Sequence, residues 1–201
     1  MSWIADTIGQ GGVLGVFALT LVETVFPPIP SEVVMPLAGV AAARGAMPVW
    51  AAVAAGIAGS MSGNVLLYVM ARRLGVRRFE QWIDRHGRWL TLDRDGVDRA
   101  RLWFKARGGW AVGLGRCLPG IRSVISIPAG LVDMPWPSFL LWSMLGTTVW
   151  VSALTLTGYW LGSAGIPAIE RWIGPVSNTL MVIALGLYLV RLATWRKGRH
   201  S

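Results

Sequence analysis

The chain has 201 residues, 54% hydrophobic and only 14% charged, with a mean hydropathy of +0.53. Soluble domains carry about 25% charged residues, so this composition excludes an ordinary soluble fold and marks an integral membrane protein. The net charge of +9 is not a nucleic-acid signature: eleven of the nineteen Lys and Arg lie between Arg72 and Arg107 and four more between Arg191 and Arg199. Both runs flank apolar segments, as cytoplasmic loops do.

The N-terminal residues Met-Ser-Trp-Ile-Ala-Asp6 lack the basic flank of a secretory signal, so no cleaved peptide is expected. The first apolar stretch runs from Val13 to Phe26, is interrupted by Pro27-Pro28-Ile29-Pro30, and resumes from Val33 to Ala43. Proline removes a backbone donor and blocks the helix. Each arm falls short of the roughly 20 residues needed to cross the hydrocarbon core, which predicts a re-entrant helical hairpin. A full span follows from Pro48 to Ala71. Within it, the small-residue run Gly59-Ser-Met-Ser-Gly-Asn64 suits close helix packing, or a polar path lined by Asn64.

The polar segment 72–107 carries Phe79, Trp82 and Ile83 on one helical face and Val97 and Phe104 on another, with Asp93 as an N-cap and Gly108 as a stop. It reads as amphipathic helix on the cytoplasmic surface. A second short apolar pair follows: Trp110 to Cys117, a break at Pro119-Gly120, then Ser123 to Val132. Pro128 and Gly130 shape its exit arm, as Pro36 does in the first. Further spans are predicted over Ser138 to Leu161 and Val176 to Trp195. Most of the twelve tryptophans fall near the ends of apolar segments, as an interfacial belt would.

The two hairpin regions echo each other. Ser31-Glu-Val-Val-Met-Pro-Leu-Ala-Gly39 resembles Ser123-Val-Ile-Ser-Ile-Pro-Ala-Gly130, Met47-Pro48 recurs as Met134-Pro135, and Tyr68 as Tyr159. With 72–107 in the cytoplasm, the first span runs inward and the second outward. The expected fold is therefore an all-α, single membrane domain over 1–201. It has two inverted-topology repeats (10–71 and 108–161), each a re-entrant hairpin plus a transmembrane helix, and a C-terminal span at 176–195 with a cytoplasmic end. Broken helices meeting near the midplane are where secondary transporters bind their cargo.

Only Glu23, Glu32, Arg116 and Arg122 are ionisable within the two hairpins. Charge at membrane depth is costly and normally paired or facing a polar cavity. Arginine offers a planar fork of donors suited to phosphate oxygens, so Arg116 and Arg122 are the candidate substrate-binding residues. Glu23 sits in an otherwise apolar run, and a desolvated carboxylate can exchange protons near neutral pH. Glu23 and Glu32 are thus the candidates for proton coupling, or else structural partners of the arginines. Asp133 is expected to face water, and the lone Cys117 reads as a small buried residue. No metal or cofactor is expected, because His86 and His200, the only histidines, lie outside the hairpins.

Glu23 with Phe26-Pro-Pro-Ile-Pro-Ser-Glu32, and Gly115-Arg-Cys-Leu-Pro-Gly-Ile-Arg122 continued by Pro128-Ala-Gly130, resemble the DedA family of small membrane proteins. The resemblance spans about residues 10 to 195. It places the family's paired acidic residues at Glu23 and Glu32 and its essential arginines at Arg116 and Arg122. Some members carry Asp after Gly where this chain has Ser31-Glu32. The resemblance implies recycling of undecaprenyl phosphate, a polyprenyl-phosphate lipid carrier, back across the cytoplasmic membrane, with protons as a coupling partner. Related eukaryotic proteins are lipid scramblases. The alternatives are a cation/proton antiporter, a general phospholipid scramblase and a non-transporting scaffold. None of these is an enzyme or a nucleic-acid binder. The oligomeric state stays open, with a homodimer as one candidate.

Overall fold

Apolar runs without a breaker form helices in lipid because only there does every backbone N–H and C=O find a partner within its own segment. The computed structural model describes residues 2–25, 31–90, 102, 108–117, 122 and 125–162. The helices are α1 (Ser2–Val25), α2 (Ser31–Ala43), α3 (Val49–Leu90), α4 (Trp110–Gly115), α5 (Ser126–Leu131) and α6 (Trp136–Leu161). Among the described residues, three segments are long and apolar enough to cross a membrane: Asp6–Val25, Val49–Gly75 and Trp136–Leu161. This all-helical protein is therefore a multi-pass membrane protein.

The second and third of those segments match the expected spans closely. The first does not match. A short arm from Val13 is expected, yet α1 begins at Ser2 and bends at Gly12, where φ is 52° and ψ −131°. Only glycine takes that conformation readily, so two helical stretches meet there at a kink, the second starting at the expected Val13 and the first lying upstream of it. The same device redirects α3 at Gly75 (φ 68°, ψ 159°), and the helix continues to Leu90. The first part of the polar segment 72–107 is thus helical, as its pattern leads one to expect, and joins the span through the kink at Gly75. The breaks at Pro27, Pro28, Pro30, Pro119 and Gly120, most of 91–107 and the apolar segment 176–195 lie outside the described residues.

Packing follows a crossed pattern. Helix α1 packs on α3 and α4 on α6, each within its own half. Helices α2 and α5 cross over, α2 onto α6 and α5 onto α3, and α3 also meets α6. One core joins Ile8, Val16, Val34, Met35, Ala52 and Val151; a second joins Tyr68, Val112, Ala129 and Phe139. Leu14, Leu141, Val149 and Trp160 point outward, as an apolar surface facing lipid requires.

Two glycines allow the crossovers. A Cβ on Gly39 of α2 would collide with the Thr155 carbonyl and the Tyr159 amide of α6. A Cβ on Gly130 of α5 would come within 2.5 Å of the Tyr68 carbonyl and 2.9 Å of the Ala71 Cβ on α3. Backbone cannot yield as a side-chain tip can, and overpacking costs about 1–3 kcal/mol or more. Gly39→Ala and Gly130→Ala are accordingly expected to lower the yield of monodisperse protein in detergent several-fold. Gly11→Ala, with open space around it, is expected to behave as the parent chain on the same column.

Candidate functional site

Arg116 caps the C-terminus of α4 and is 2% exposed, the largest fully buried side chain among the described residues. Gly146 on α6 makes room for it, since a Cβ there would meet the Gly113 carbonyl and the Arg116 side chain. The guanidinium is held by four neutral oxygens. Nη1 donates to Asn64 Oδ1 on α3 and to the Arg122 carbonyl at 2.5 Å. Nη2 donates to Ser126 Oγ on α5 at 2.9 Å and to Ser143 Oγ on α6 at 3.0 Å. The Phe139 ring lies 5.7 Å from Cζ, within cation–π range. Nε is buried and, among the described residues, has no hydrogen-bond partner.

Arg122 follows the second break, and its carbonyl accepts from the Arg116 side chain. The Arg122 guanidinium reaches a different element. Its Nη2 donates to Glu23 Oε1 on α1 at 2.8 Å, and the two side chains are 9% and 3% exposed. This ion pair links the two halves of the chain.

The structure therefore brings together Glu23, Arg116 and Arg122. Glu32 stands half-buried in the first turn of α2 and, among the described residues, makes no ion pair with either arginine. Gly130 faces α3 as described, and Pro128 lies within α5. Asp133 faces water, as expected, but its carboxylate also meets Arg72 Nε at 3.3 Å. Arg72 donates in addition to the Tyr68 hydroxyl at 2.5 Å and to the Met134 carbonyl at 3.2 Å, and Tyr68 donates to the same carbonyl. That cluster ties α3 to the turn before α6 and is separate from the Arg116 site.

Ser126 and Ser143 do not stand out in the sequence. Ser143 carries a faint signal: Phe139, Ser143, Thr147, Val151 and Thr155 recur every four residues and form the buried face of α6. Hydroxyls in that register can serve a neighbouring helix, yet Thr155 simply bonds its own Val151 carbonyl at 2.8 Å. Spacing alone does not separate the two uses.

The electrostatics of the two arginines differ. Arg122 is neutralised by Glu23, whereas Arg116 hydrogen-bonds only neutral oxygens among the described residues. Among the described residues, two guanidiniums and one carboxylate leave one net positive charge in this buried centre. Burying a charge without a countercharge is costly, and such a centre favours an anion. Among the described residues no three His, Cys, Asp or Glu side chains cluster as metal ligands would.

Residues 29–160 match the profile of the VTT domain. The chain is 34% identical to the undecaprenyl phosphate transporter A of Staphylococcus aureus, over 96% of this chain and 97% of that one. It is 30% identical to the protein of the same name in Bacillus subtilis, over 81% of each. It is also 38% identical to an alkaline phosphatase-like protein of Lactococcus lactis, over 79% of this chain and 75% of the relative. No solved structure matches the chain.

Proposed function

The chain belongs to the VTT domain family, which takes in the DedA proteins, and from that premise we propose that it is a transporter, not an enzyme, that moves undecaprenyl phosphate across the cytoplasmic membrane. The observation that carries this reading is Arg116: a buried guanidinium fixed by four neutral oxygens, with no carboxylate among them to cancel its charge. A lipid phosphate supplies the missing anion, since arginine donors match phosphate oxygens in geometry and charge. Two relatives named for undecaprenyl phosphate favour that cargo over other anionic lipids.

Arg122 is the second phosphate ligand in this reading, and Glu23 is its gate. Protonating Glu23 weakens its hold on Arg122 and frees donors for the headgroup, which couples transport to protons. Glu32, unpaired with the arginines, is the second proton site. The crossed packing supports an inverted repeat: Gly39 meets Tyr159 and Gly130 meets Tyr68, the same residues that echo each other in sequence. In this arrangement the two short-arm helices form re-entrant hairpins around the site, and the basic linker and C-terminus face the cytoplasm.

Reconstitution into vesicles tests the proposal. Protein-containing vesicles are expected to move undecaprenyl phosphate between leaflets faster than protein-free ones, with Arg122→Ala slower by about tenfold or more, as loss of a charge-assisted phosphate contact implies. Translocation by Arg122→Ala at the parent rate would overturn the assignment. Ion-driven proton flux in vesicles lacking the lipid carrier would point to an antiporter instead.

A further inference from the structure

We propose that Asn64 sets the charge of the phosphate site: it supplies a neutral acceptor where a carboxylate would cancel Arg116. This rests on the transporter reading above and concerns how the site stays able to take an anion.

Asn64 lies on α3, is 2% exposed, and its Oδ1 accepts from both Arg116 Nη1 and, at 3.3 Å, Ser126 Oγ. An aspartate differs from asparagine by the exchange of NH₂ for O⁻. It would present the same acceptor to Arg116 and add a full countercharge, forming a stronger, charge-assisted bond. The protein uses that solution for the other arginine, where Glu23 neutralises Arg122. At Arg116 it does not. The fold therefore forgoes stabilisation at this position and leaves the guanidinium's charge in place for a ligand.

The repeat supplies a comparison within the chain. Asn64 precedes Tyr68 by one helical turn, and Thr155 precedes the matching Tyr159 by one turn. Thr155 folds its hydroxyl onto its own helix at Val151. Only the span that faces the arginine-bearing second half, α3, projects an amide across the interface to Arg116, so the amide serves the arginine and not the generic packing of the two halves. The neutral oxygens also fix the fork. Four of the five guanidinium N–H groups are engaged, and Nε, buried and unpartnered, retains a donor for a phosphate oxygen.

The test compares Asn64→Asp and Asn64→Ala in purified full-length protein, by thermal melting and by titration with undecaprenyl phosphate. Asn64→Asp is expected to melt at or above the parent temperature, because it pairs a buried charge, yet to bind the lipid about tenfold or more weakly. Asn64→Ala is expected to melt lower and to lose less affinity than Asn64→Asp. A role limited to holding Arg116 in place predicts the reverse order, since aspartate holds a guanidinium at least as well as asparagine. Parent-like binding by Asn64→Asp, failure of that variant to fold, or weaker binding by Asn64→Ala would each overturn the proposal. Parent protein that does not bind undecaprenyl phosphate would overturn the transporter reading along with it.

Discussion

Arg116→Ala is expected to abolish measurable translocation of undecaprenyl phosphate, a loss of about a hundredfold or more, and Arg116→Lys is expected to rescue little of it. The guanidinium bonds Asn64, Ser126, Ser143 and the Arg122 carbonyl at once. A hydrogen bond to a charged group is worth about 1.5–3 kcal/mol, and losing the Nε bond to the phosphate together with the hold on the Arg122 carbonyl gives that hundredfold. Lysine keeps the charge but has a single ammonium with three donors and no planar fork. It cannot bridge three helices and the Arg122 carbonyl at once. Stability falls less than transport, because alanine also removes a buried charge that has no countercharge. Translocation in vesicles and melting in detergent, measured on the same preparations, check both halves of this statement. A lysine variant transporting at the parent rate would show that charge alone suffices.

The second large effect concerns the pair between α1 and the second break. Glu23→Ala leaves Arg122 buried without the carboxylate that meets it at 2.8 Å, and breaking a buried pair in this way costs about 3–5 kcal/mol. Melting is expected to drop accordingly. The exchange Glu23→Arg with Arg122→Glu restores opposite charges across the same gap and is expected to recover much of the lost stability. Transport is not expected to return, because the exchange moves a phosphate donor onto α1 and puts a carboxylate beside the Arg116 turn. Recovery of both properties would favour a scaffold in which the charges only hold the fold.

Much of this site is legible in the sequence, because charge in an apolar run is expensive and so stands out. Glu23, Arg116 and Arg122 are identified on that ground alone, and the structure brings them together. Which carboxylate meets which arginine is not legible. Nine residues separate Glu23 from Glu32 and six separate Arg116 from Arg122, and both intervals cross a break that no helical period describes. The serines are harder still. A hydroxyl in a membrane helix can bond its own backbone, as Thr20, Thr24 and Thr155 do, so Ser126 and Ser143 give no sign that they serve Arg116. Asn64 is visible, but among Gly59, Ser60 and Gly63 it looks like part of a packing face. It belongs to both: a Cβ on Gly59 or Gly63 would strike α1 at Thr20, Phe17 or Thr24, while the amide one residue beyond Gly63 turns to the arginine. Helix α1 exceeds its expected length because a further helical stretch precedes Val13, joined to it through the kink at Gly12.

In the proposed function the Arg116 cradle receives a lipid phosphate. An experimental structure of the full chain in lipid nanodiscs containing undecaprenyl phosphate tests it most directly. Headgroup density is expected with a phosphate oxygen about 3 Å from an Arg116 nitrogen, Nε foremost, and a second oxygen facing Arg122 as its bond to Glu23 lengthens. A headgroup bound elsewhere, with the Glu23–Arg122 pair closed and Arg116 still held only by Asn64, Ser126, Ser143 and the Arg122 carbonyl, would contradict it.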